Sequence, residues 1–99
     1  MKANEFRPAQ LKPGQVTRLH VDGEPVAVYN VDGVFFATHD HCTHARGPLS
    51  EGRLDGKKII CPWHDSCFDV TDGSVLCGPA RKPVKTYQVT VAGEIARVE

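Results

Sequence analysis

Two short segments of the chain each carry one cysteine and one histidine. Cys42 and His44 are separated by one residue, and Cys61 and His64, which follow after a gap of sixteen residues, are separated by two. Each segment offers one thiolate and one imidazole, so two loops can hold one metal centre from opposite sides. Zinc accepts two cysteines and two histidines in a tetrahedron, whereas a 2Fe-2S cluster of mixed ligation takes two cysteines on one iron and two histidines on the other. Both chemistries are open for the candidate cofactor and metal ligands Cys42, His44, Cys61 and His64.

The elements that must position these residues are short strands. Apolar residues recur in short runs between turn signals, which indicates an all-β domain rather than helices. Asp-Gly, the dipeptide that most readily accepts the positive φ angles of tight hairpin turns, occurs at positions 22–23, 32–33, 55–56 and 72–73. No helical pattern, repeat or linker interrupts the series, so one domain over residues 1–99 is expected. The predicted strands span residues 16–21, 25–31, 34–38, 57–60, 67–70, 74–76, 86–91 and 94–98.

Two stretches outside the predicted strands contain the candidate ligands. Residues 40–56 carry the first pair, and residues 61–66 carry the second pair directly after an apolar run. Loops as long as the first stretch usually serve a site in a compact domain. We therefore expect both stretches to be loops of one functional site.

Charge and composition exclude several classes of function. Lys plus Arg and Asp plus Glu both total 12, so the net charge is zero and no general attraction to nucleic acid is expected. No segment has the roughly eighteen apolar residues of a membrane helix. Residues 1–14 mix charges and prolines where a secretory signal would be apolar. We expect a soluble, cytoplasmic protein with no nucleic-acid or membrane partner.

Two of the four cysteines lie outside the ligand pattern. In a protein without export signals, cysteines are more typical of metal sites or reduced thiols than of a disulfide framework. Cys67 and Cys77 flank the predicted turn at 72–73 and could approach each other across a hairpin. We expect small, buried, reduced side chains, and whether the two pair stays open.

The pattern C-x-H, sixteen residues, then C-x-x-H resembles that of the Rieske family. The resemblance covers about residues 34–91, and the length is similar to that of the free-standing ferredoxins of bacterial aromatic-ring dioxygenase systems. It implies an all-β Rieske iron-sulfur domain, with a β-sandwich base and a small cluster-binding subdomain of about residues 38–80, and one 2Fe-2S cluster on the four candidate ligands. The matching flanks include Gly47-Pro48-Leu49-Ser50-Glu51-Gly52, Ile60-Cys61-Pro62-Trp63-His64 and Gly78-Pro79-Ala80.

The function that the resemblance implies is one-electron transfer. A flavin-dependent NAD(P)H ferredoxin reductase would deliver single electrons, and the protein would pass each to a terminal oxygenase that dihydroxylates an aromatic ring. No residues resemble a flavin or nicotinamide site, a catalytic triad or the mononuclear iron site of an oxygenase, so we do not expect an enzyme. Two alternatives stay open: a Rieske subunit of another redox system, such as a nitrite-reductase small subunit, and a zinc-stabilised β interaction module.

The resemblance also implies roles for residues near the ligands. It places His44 and His64 at an exposed tip, on the iron that is reduced, with a third, proline-containing loop over the centre. Respiratory Rieske proteins join their cluster loops by a disulfide from the positions of Gly47 and Trp63, which carry no cysteine here. Ser66 matches a respiratory serine that hydrogen-bonds a cluster sulfur.

The remaining charged and histidine residues have simpler interpretations. Two basic pairs, Lys57-Lys58 and Arg81-Lys82, are typical of solvated charges, and either pair could guide docking of a partner. Surface or strand positions, rather than ligand roles, are expected for His20, His39 and His41.

Overall fold

The structure is a computed structural model that describes residues 1–63 and 65–99, so the candidate ligand His64 lies outside the described residues. These residues form eleven strands and two short 3-10 helices, Pro8–Gln10 and Leu49–Glu51. Neither helix is long and apolar enough to cross a membrane. The strands are β1 (Glu5–Phe6), β2 (Val16–Val21), β3 (Glu24–Val31), β4 (Val34–His39), β5 (Arg53–Asp55), β6 (Lys58–Ile60), β7 (Cys67–Asp69), β8 (Val75–Cys77), β9 (Thr86–Tyr87), β10 (Val89–Ala92) and β11 (Ile95–Val98).

The described strands form three antiparallel sheets. The middle sheet has the order β2-β3-β4-β9, the base sheet β1-β11-β10, and the third sheet β5-β6-β7-β8. Turns at Asp22-Gly23 and Asp32-Gly33 join β2 to β3 and β3 to β4, and all four residues have positive φ, from 51° to 92°. Positive φ at both central residues gives the turn whose twist matches that of the flanking strands. The sequence prediction of hairpin turns at these two Asp-Gly pairs is confirmed.

Strand β3 is buried on both faces and belongs to two apolar cores. Val26 and Val28 pack into a core with the base sheet. Ala27 and Tyr29 belong to a second core, shared with the third sheet and with the loops that follow β4 and β6. Successive side chains of a strand point to opposite faces, so β3 joins a two-sheet base to the smaller sheet. The predicted all-β fold, with a β-sandwich base and a small subdomain, is confirmed.

Seven of the eight predicted strands match to within one residue at each end, and one of these, β2, has the predicted residue at both ends. The interpretation of residues 40–56 as one continuous loop was wrong, because they contain the helix Leu49–Glu51 and strand β5. In β5 only Leu54 is apolar, so the sequence carried almost no strand signal. A single strand over residues 86–91 was also wrong. At Gln88 the backbone bonds to Glu99, and the chain passes there from the middle sheet to the base sheet.

The hairpin of β7 and β8 links the second pair of candidate ligands to the residues that follow β8. Its turn is fastened by Asp69, whose carboxylate accepts hydrogen bonds from the Thr71 N–H and hydroxyl and lies 3.6 Å from Lys57 Nζ. Burial raises the pKa of the Asp69 carboxyl, but the hydrogen bonds from Thr71 and the charge of Lys57 outweigh burial and hold this pKa below its usual range. The turn therefore keeps its negative charge at neutral pH.

Cys67 and Cys77 are cross-strand neighbours in this hairpin. Their Cα atoms are 5.0 Å apart, and the two sulfurs form a disulfide. The expectation of two separate reduced thiols was wrong, because the register of the hairpin places the cysteines opposite each other. Cys67 is buried whereas Cys77 is exposed. The bond joins the first residue of β7 to the last residue of β8, at the base of the candidate site.

Gly73→Ala is expected to lower the free energy of unfolding by more than the cost of placing alanine in the left-handed conformation. Gly73 has φ 79°, and a Cβ at this position would overlap the carbonyl oxygen of Val84 and lie 3.1 Å from Thr86 Cγ2. Gly23 has φ 82° with no atom within 4 Å of an added Cβ, so Gly23→Ala is the matched control.

A left-handed alanine costs about 1 kcal/mol, so the control should lower the free energy of unfolding by about that amount. Gly73→Ala should lower it by about 3 kcal/mol or more, because the added methyl group must displace backbone. Chemical denaturation followed by circular dichroism measures both losses. Equal losses would contradict a close approach of Gly73 to Val84.

Candidate metal centre

The first loop, residues 42–47, is a tight turn that begins at Cys42. The Cys42 N–H donates to the Gly47 carbonyl oxygen at 2.9 Å, and the Arg46 N–H donates to the Cys42 carbonyl oxygen at 2.8 Å. Arg46 has φ 58°, in the left-handed region, which reverses the chain before Gly47. The turn fixes Cys42 at its buried start and leaves His44 exposed.

The second loop, residues 61–66, is closed in the same way. The Cys61 N–H donates to the Ser66 carbonyl oxygen at 2.7 Å. Asp65, directly before Ser66, has φ 58°, the same value as Arg46 before Gly47. Aspartate enters this region more readily than most residues. The two loops therefore present Cys42 and Cys61 at equivalent positions, each at the start of a turn closed by its own amide.

Asp40 fixes the first loop to the middle sheet. Its N–H donates to the Pro25 carbonyl oxygen at 2.9 Å, and its own carbonyl accepts from the Leu49 N–H at 2.6 Å. The fully buried carboxylate accepts from the Ser50 N–H at 2.7 Å and lies 3.8 Å from Arg18 Nη1. Asp40 thus connects the chain before the first loop to the chain after it at one buried position. Sequence reasoning missed this residue, because a single aspartate gives no signal of its distant partners.

Both candidate cysteine ligands are buried. Cys42 is 1 % exposed and Cys61 is 0 % exposed, and both lie in the core that contains Leu49, Ile59 and Phe68. Neither belongs to the disulfide. A buried thiolate is costly unless its charge is compensated. Two thiolates and two neutral imidazoles leave an oxidised 2Fe-2S core with no net charge, so this donor set fits a dry site.

The described residues hold three of the four candidate ligands. Within residues 1–63 and 65–99, no group of three or more His, Cys, Asp or Glu side chains is placed to hold a metal ion. His64, the fourth candidate, lies outside these ranges. The structure therefore brings Cys42 and Cys61 into one core and places His44 on the exposed part of the first loop.

A third loop, residues 78–84, packs on the other two. The Thr43 hydroxyl of the first loop donates to the Lys82 carbonyl oxygen at 2.8 Å. The Ala80 N–H donates to Ser66 Oγ of the second loop at 3.0 Å. Ala80 and Val84 are both buried in the core that contains Cys42 and Cys61. The third loop is thus tied by one hydrogen bond to each loop that carries candidate ligands.

Gly47 and Trp63, to which the resemblance assigns the positions of the respiratory disulfide, lie next to each other. A Cβ on Gly47 would lie 3.1 Å from Trp63 Cγ and 2.8 Å from Cys61 Sγ. The Trp63 side chain remains 58 % exposed. Only glycine allows the backbone of the first loop to approach the Cys61 sulfur this closely.

The other histidines lie on or beside the middle sheet. His20 is exposed on β2. His39 Nε2 lies 3.1 Å from a carboxylate oxygen of Glu24, and this hydrogen bond holds the pKa of Glu24 below its usual range. The His41 ring meets the His39 ring edge to face, with centroids 5.2 Å apart. His39 thus contacts both the Glu24 carboxylate and the His41 ring at the end of β4.

Gly47→Ala is expected to lower the metal content of the purified protein, because the added methyl group must push Cys61 Sγ or the first loop aside. Gly78→Ala is the control, since the nearest atoms to an added Cβ there lie 3.9 and 4.0 Å away. Elemental analysis per chain measures the difference. Full metal content in Gly47→Ala would show that the first loop can shift without disturbing the site.

Comparison with known proteins agrees with this geometry. Residues 3–88 match the family model described as the Rieske [2Fe-2S] domain. The chain is 37 % identical over 90 residues to the ferredoxin component of a naphthalene 1,2-dioxygenase system from Pseudomonas aeruginosa, covering 91 % of this chain and 86 % of the relative. It is 40 % identical over 91 residues to a biphenyl dioxygenase ferredoxin subunit from Pseudomonas sp. strain KKS102, covering 91 % and 84 %.

A solved structure gives the same result. The complex of reduced oxygenase and oxidized ferredoxin in carbazole 1,9a-dioxygenase contains a chain that is 35 % identical to this one. The two superpose with a TM-score of 0.90 over 98 % of this chain and 94 % of that chain. The family match and the ferredoxin relatives agree on one cofactor. This chain belongs to the Rieske [2Fe-2S] family, and its cofactor is one 2Fe-2S cluster.

Proposed function

We propose that the protein is a one-electron carrier that takes electrons from a flavin-dependent NAD(P)H ferredoxin reductase and passes them to a terminal ring-hydroxylating oxygenase. The observation that carries the proposal is the similarity, over almost the whole of both chains, to a ferredoxin solved together with its oxygenase. Relatives that are 37 % and 40 % identical are ferredoxin components of dioxygenase systems. These names favour an oxygenase system over a nitrite reductase.

The proposed ligands divide the cluster into a buried side and an exposed side. Cys42 and Cys61 would hold one iron in the apolar core, where both thiols are buried. His44 and His64 would hold the other iron, and His44 is exposed on the first loop. When bound, the cluster supplies a centre that takes up and releases one electron. The protein keeps water from the thiolate side and leaves the histidine side open to a partner.

Mixed ligation suits a carrier that accepts electrons from a flavin. An all-cysteine 2Fe-2S site carries two negative charges when oxidised, whereas the mixed site carries none, so adding an electron costs less. Rieske centres accordingly have potentials of roughly −150 to +300 mV, against roughly −400 mV for plant-type ferredoxins. We place the carrier in the cytoplasm, where NAD(P)H is available, and propose that it does not turn over substrate alone.

The protein purified from a host that builds clusters should be reddish brown and contain iron and acid-labile sulfide in equal amounts. Its reduced form should show the rhombic EPR signal of a Rieske centre. His44→Ala and His64→Ala should each abolish this signal or alter it grossly, because each removes a ligand. His20→Ala, which changes an exposed histidine of β2, is the control and should leave the signal intact. Stoichiometric zinc without iron would end the proposal, and a normal signal in either ligand variant would refute the assignment.

Ser66→Ala should lower the reduction potential and also weaken the packing of the third loop. Ser66 is fully buried, and its oxygen accepts the Ala80 N–H, so its own proton can be donated elsewhere. A hydroxyl that donates to a cluster sulfur or to Cys61 Sγ favours the reduced state, which carries the extra negative charge. A bond worth about 1 to 1.5 kcal/mol more in the reduced state corresponds to a drop of about 40 to 60 mV.

Protein-film voltammetry on wild type, Ser66→Ala and the control Ser74→Ala measures this drop. Ser74 lies in the turn at the far end of the β7–β8 hairpin. A shift under about 10 mV in a variant with an intact EPR signal would mean that the hydroxyl serves only the third loop. In that case its loss would appear as destabilisation of about 1 to 3 kcal/mol from the unpaired Ala80 N–H.

A further inference from the structure

The cleft beside His44 is positively charged. It has a volume of about 400 Å³ and is lined by Thr43, His44, Pro79, Arg81 and Lys82. Both cations are exposed. The four ion pairs found among the described residues do not include either of them. Arg81 and Lys82 therefore present uncompensated charge directly beside a proposed cluster ligand.

The two charges stand on a fixed segment of backbone. The Lys82 carbonyl oxygen accepts the Thr43 hydroxyl at 2.8 Å, so the third loop is fastened to the loop that carries His44. One residue before Arg81, the Ala80 N–H is bonded to Ser66. A partner that binds these charges does not have to order the backbone that carries them. The cleft is thus preorganised beside the cluster.

The positive charges at Lys57 and in the cleft beside Cys61 are compensated, unlike those of Arg81 and Lys82. Lys57 lies 3.6 Å from the buried carboxylate of Asp69, which compensates its charge. A second cleft, beside Cys61, has charges of both signs, from Glu51, Arg53 and Asp65. The net charge of the chain is zero. Of the basic pairs and clefts compared, and within the described residues, only Arg81 and Lys82 place two unpaired positive charges beside a proposed ligand.

We infer that this cleft docks an acidic, carboxylate-rich surface patch of the protein with which the cluster exchanges electrons. The inference rests on the proposed function and adds to it the side of approach and the charge of the partner. Charge complementarity supports this occupant, because fields of exposed charges act over about 10 Å at 0.1 M salt, and in a neutral chain the local pair outweighs the net charge. An acidic patch drawn to Arg81 and Lys82 would lie against His44.

The test measures the rate at which the reduced holoprotein loses one electron to small oxidants of opposite charge. The anion ferricyanide is reduced to ferrocyanide, and the cation tris(phenanthroline)cobalt(III) is reduced to its cobalt(II) form, each by one electron from the cluster. The variant Arg81→Glu/Lys82→Glu reverses the charge of the cleft. The control Lys2→Glu/Lys12→Glu makes the same change in net charge on exposed residues outside the three loops.

At low salt, the cleft variant should react with ferricyanide about fivefold or more slower than wild type and with the cobalt complex faster, by electrostatic steering. The control should change either rate by less than about twofold, and the differences should vanish near 0.5 M salt. Poly-L-glutamate should slow the ferricyanide reaction of wild type and not that of the cleft variant. Arg81→Gln/Lys82→Gln, which only removes charge, should give an intermediate rate and serves if the reversed variant fails to fold.

Equal effects of the cleft variant and the control, or no effect of either, would overturn the inference while the EPR signal of the cluster remained normal. If the proposed function itself were wrong, the result would differ, because the wild-type protein would then lack the Rieske EPR signal. An unchanged EPR spectrum in each variant confirms intact ligation. A shift of the reduction potential would change both rates in the same direction, so opposite changes of the two rates report the charge of the cleft.

Discussion

The structure depends on burying two thiols in one apolar core, although the loops that carry them have little apolar surface of their own. Cys42 and Cys61 each begin a turn closed by the cysteine amide, to the carbonyl oxygens of Gly47 and Ser66. Such a turn consumes the polar backbone groups that burial would otherwise leave unpaired. The same constraint requires Gly47, because any side chain there would occupy the space of the Cys61 sulfur. Burial of the thiols thus determines the shape of both loops.

The third loop connects the two turns that begin at Cys42 and Cys61. It is bonded to the first loop through Thr43 and to the second through Ser66, and its far end meets the hairpin turn, where the Val84 N–H donates to the Gly73 carbonyl oxygen at 2.9 Å. The hairpin turn and the two loops that carry candidate ligands are therefore joined through the third loop. The thiol side is closed by this packing, whereas His44 stays exposed. A cluster held by the proposed ligands would exchange electrons on the His44 side and be shielded on the thiol side.

The sequence predicted what depends on local pattern and missed what depends on distant contact. The spacing of cysteine and histidine predicted the family, which the match of residues 3–88 confirms, and alternation with Asp-Gly turns located most strands. Strand β5 was missed because backbone pairing with β6 forms it with only one apolar side chain. Asp40 was missed because its partners lie at positions 18, 25, 49 and 50. The sequence did not predict the Cys67–Cys77 disulfide, because its formation depends on the register of one hairpin.

The basic pairs show why a neutral composition says little about electron-transfer partners. By sequence alone, Lys57-Lys58 and Arg81-Lys82 are equivalent. Among the residues that the structure describes, Asp69 compensates Lys57, whereas Arg81 and Lys82 form no ion pair beside His44. A carrier must meet two partners and release each quickly, so a small local field that speeds and orients encounter serves better than a large apolar interface. Because the net charge is zero, we expect the orientation of a partner to depend on the local charges beside His44.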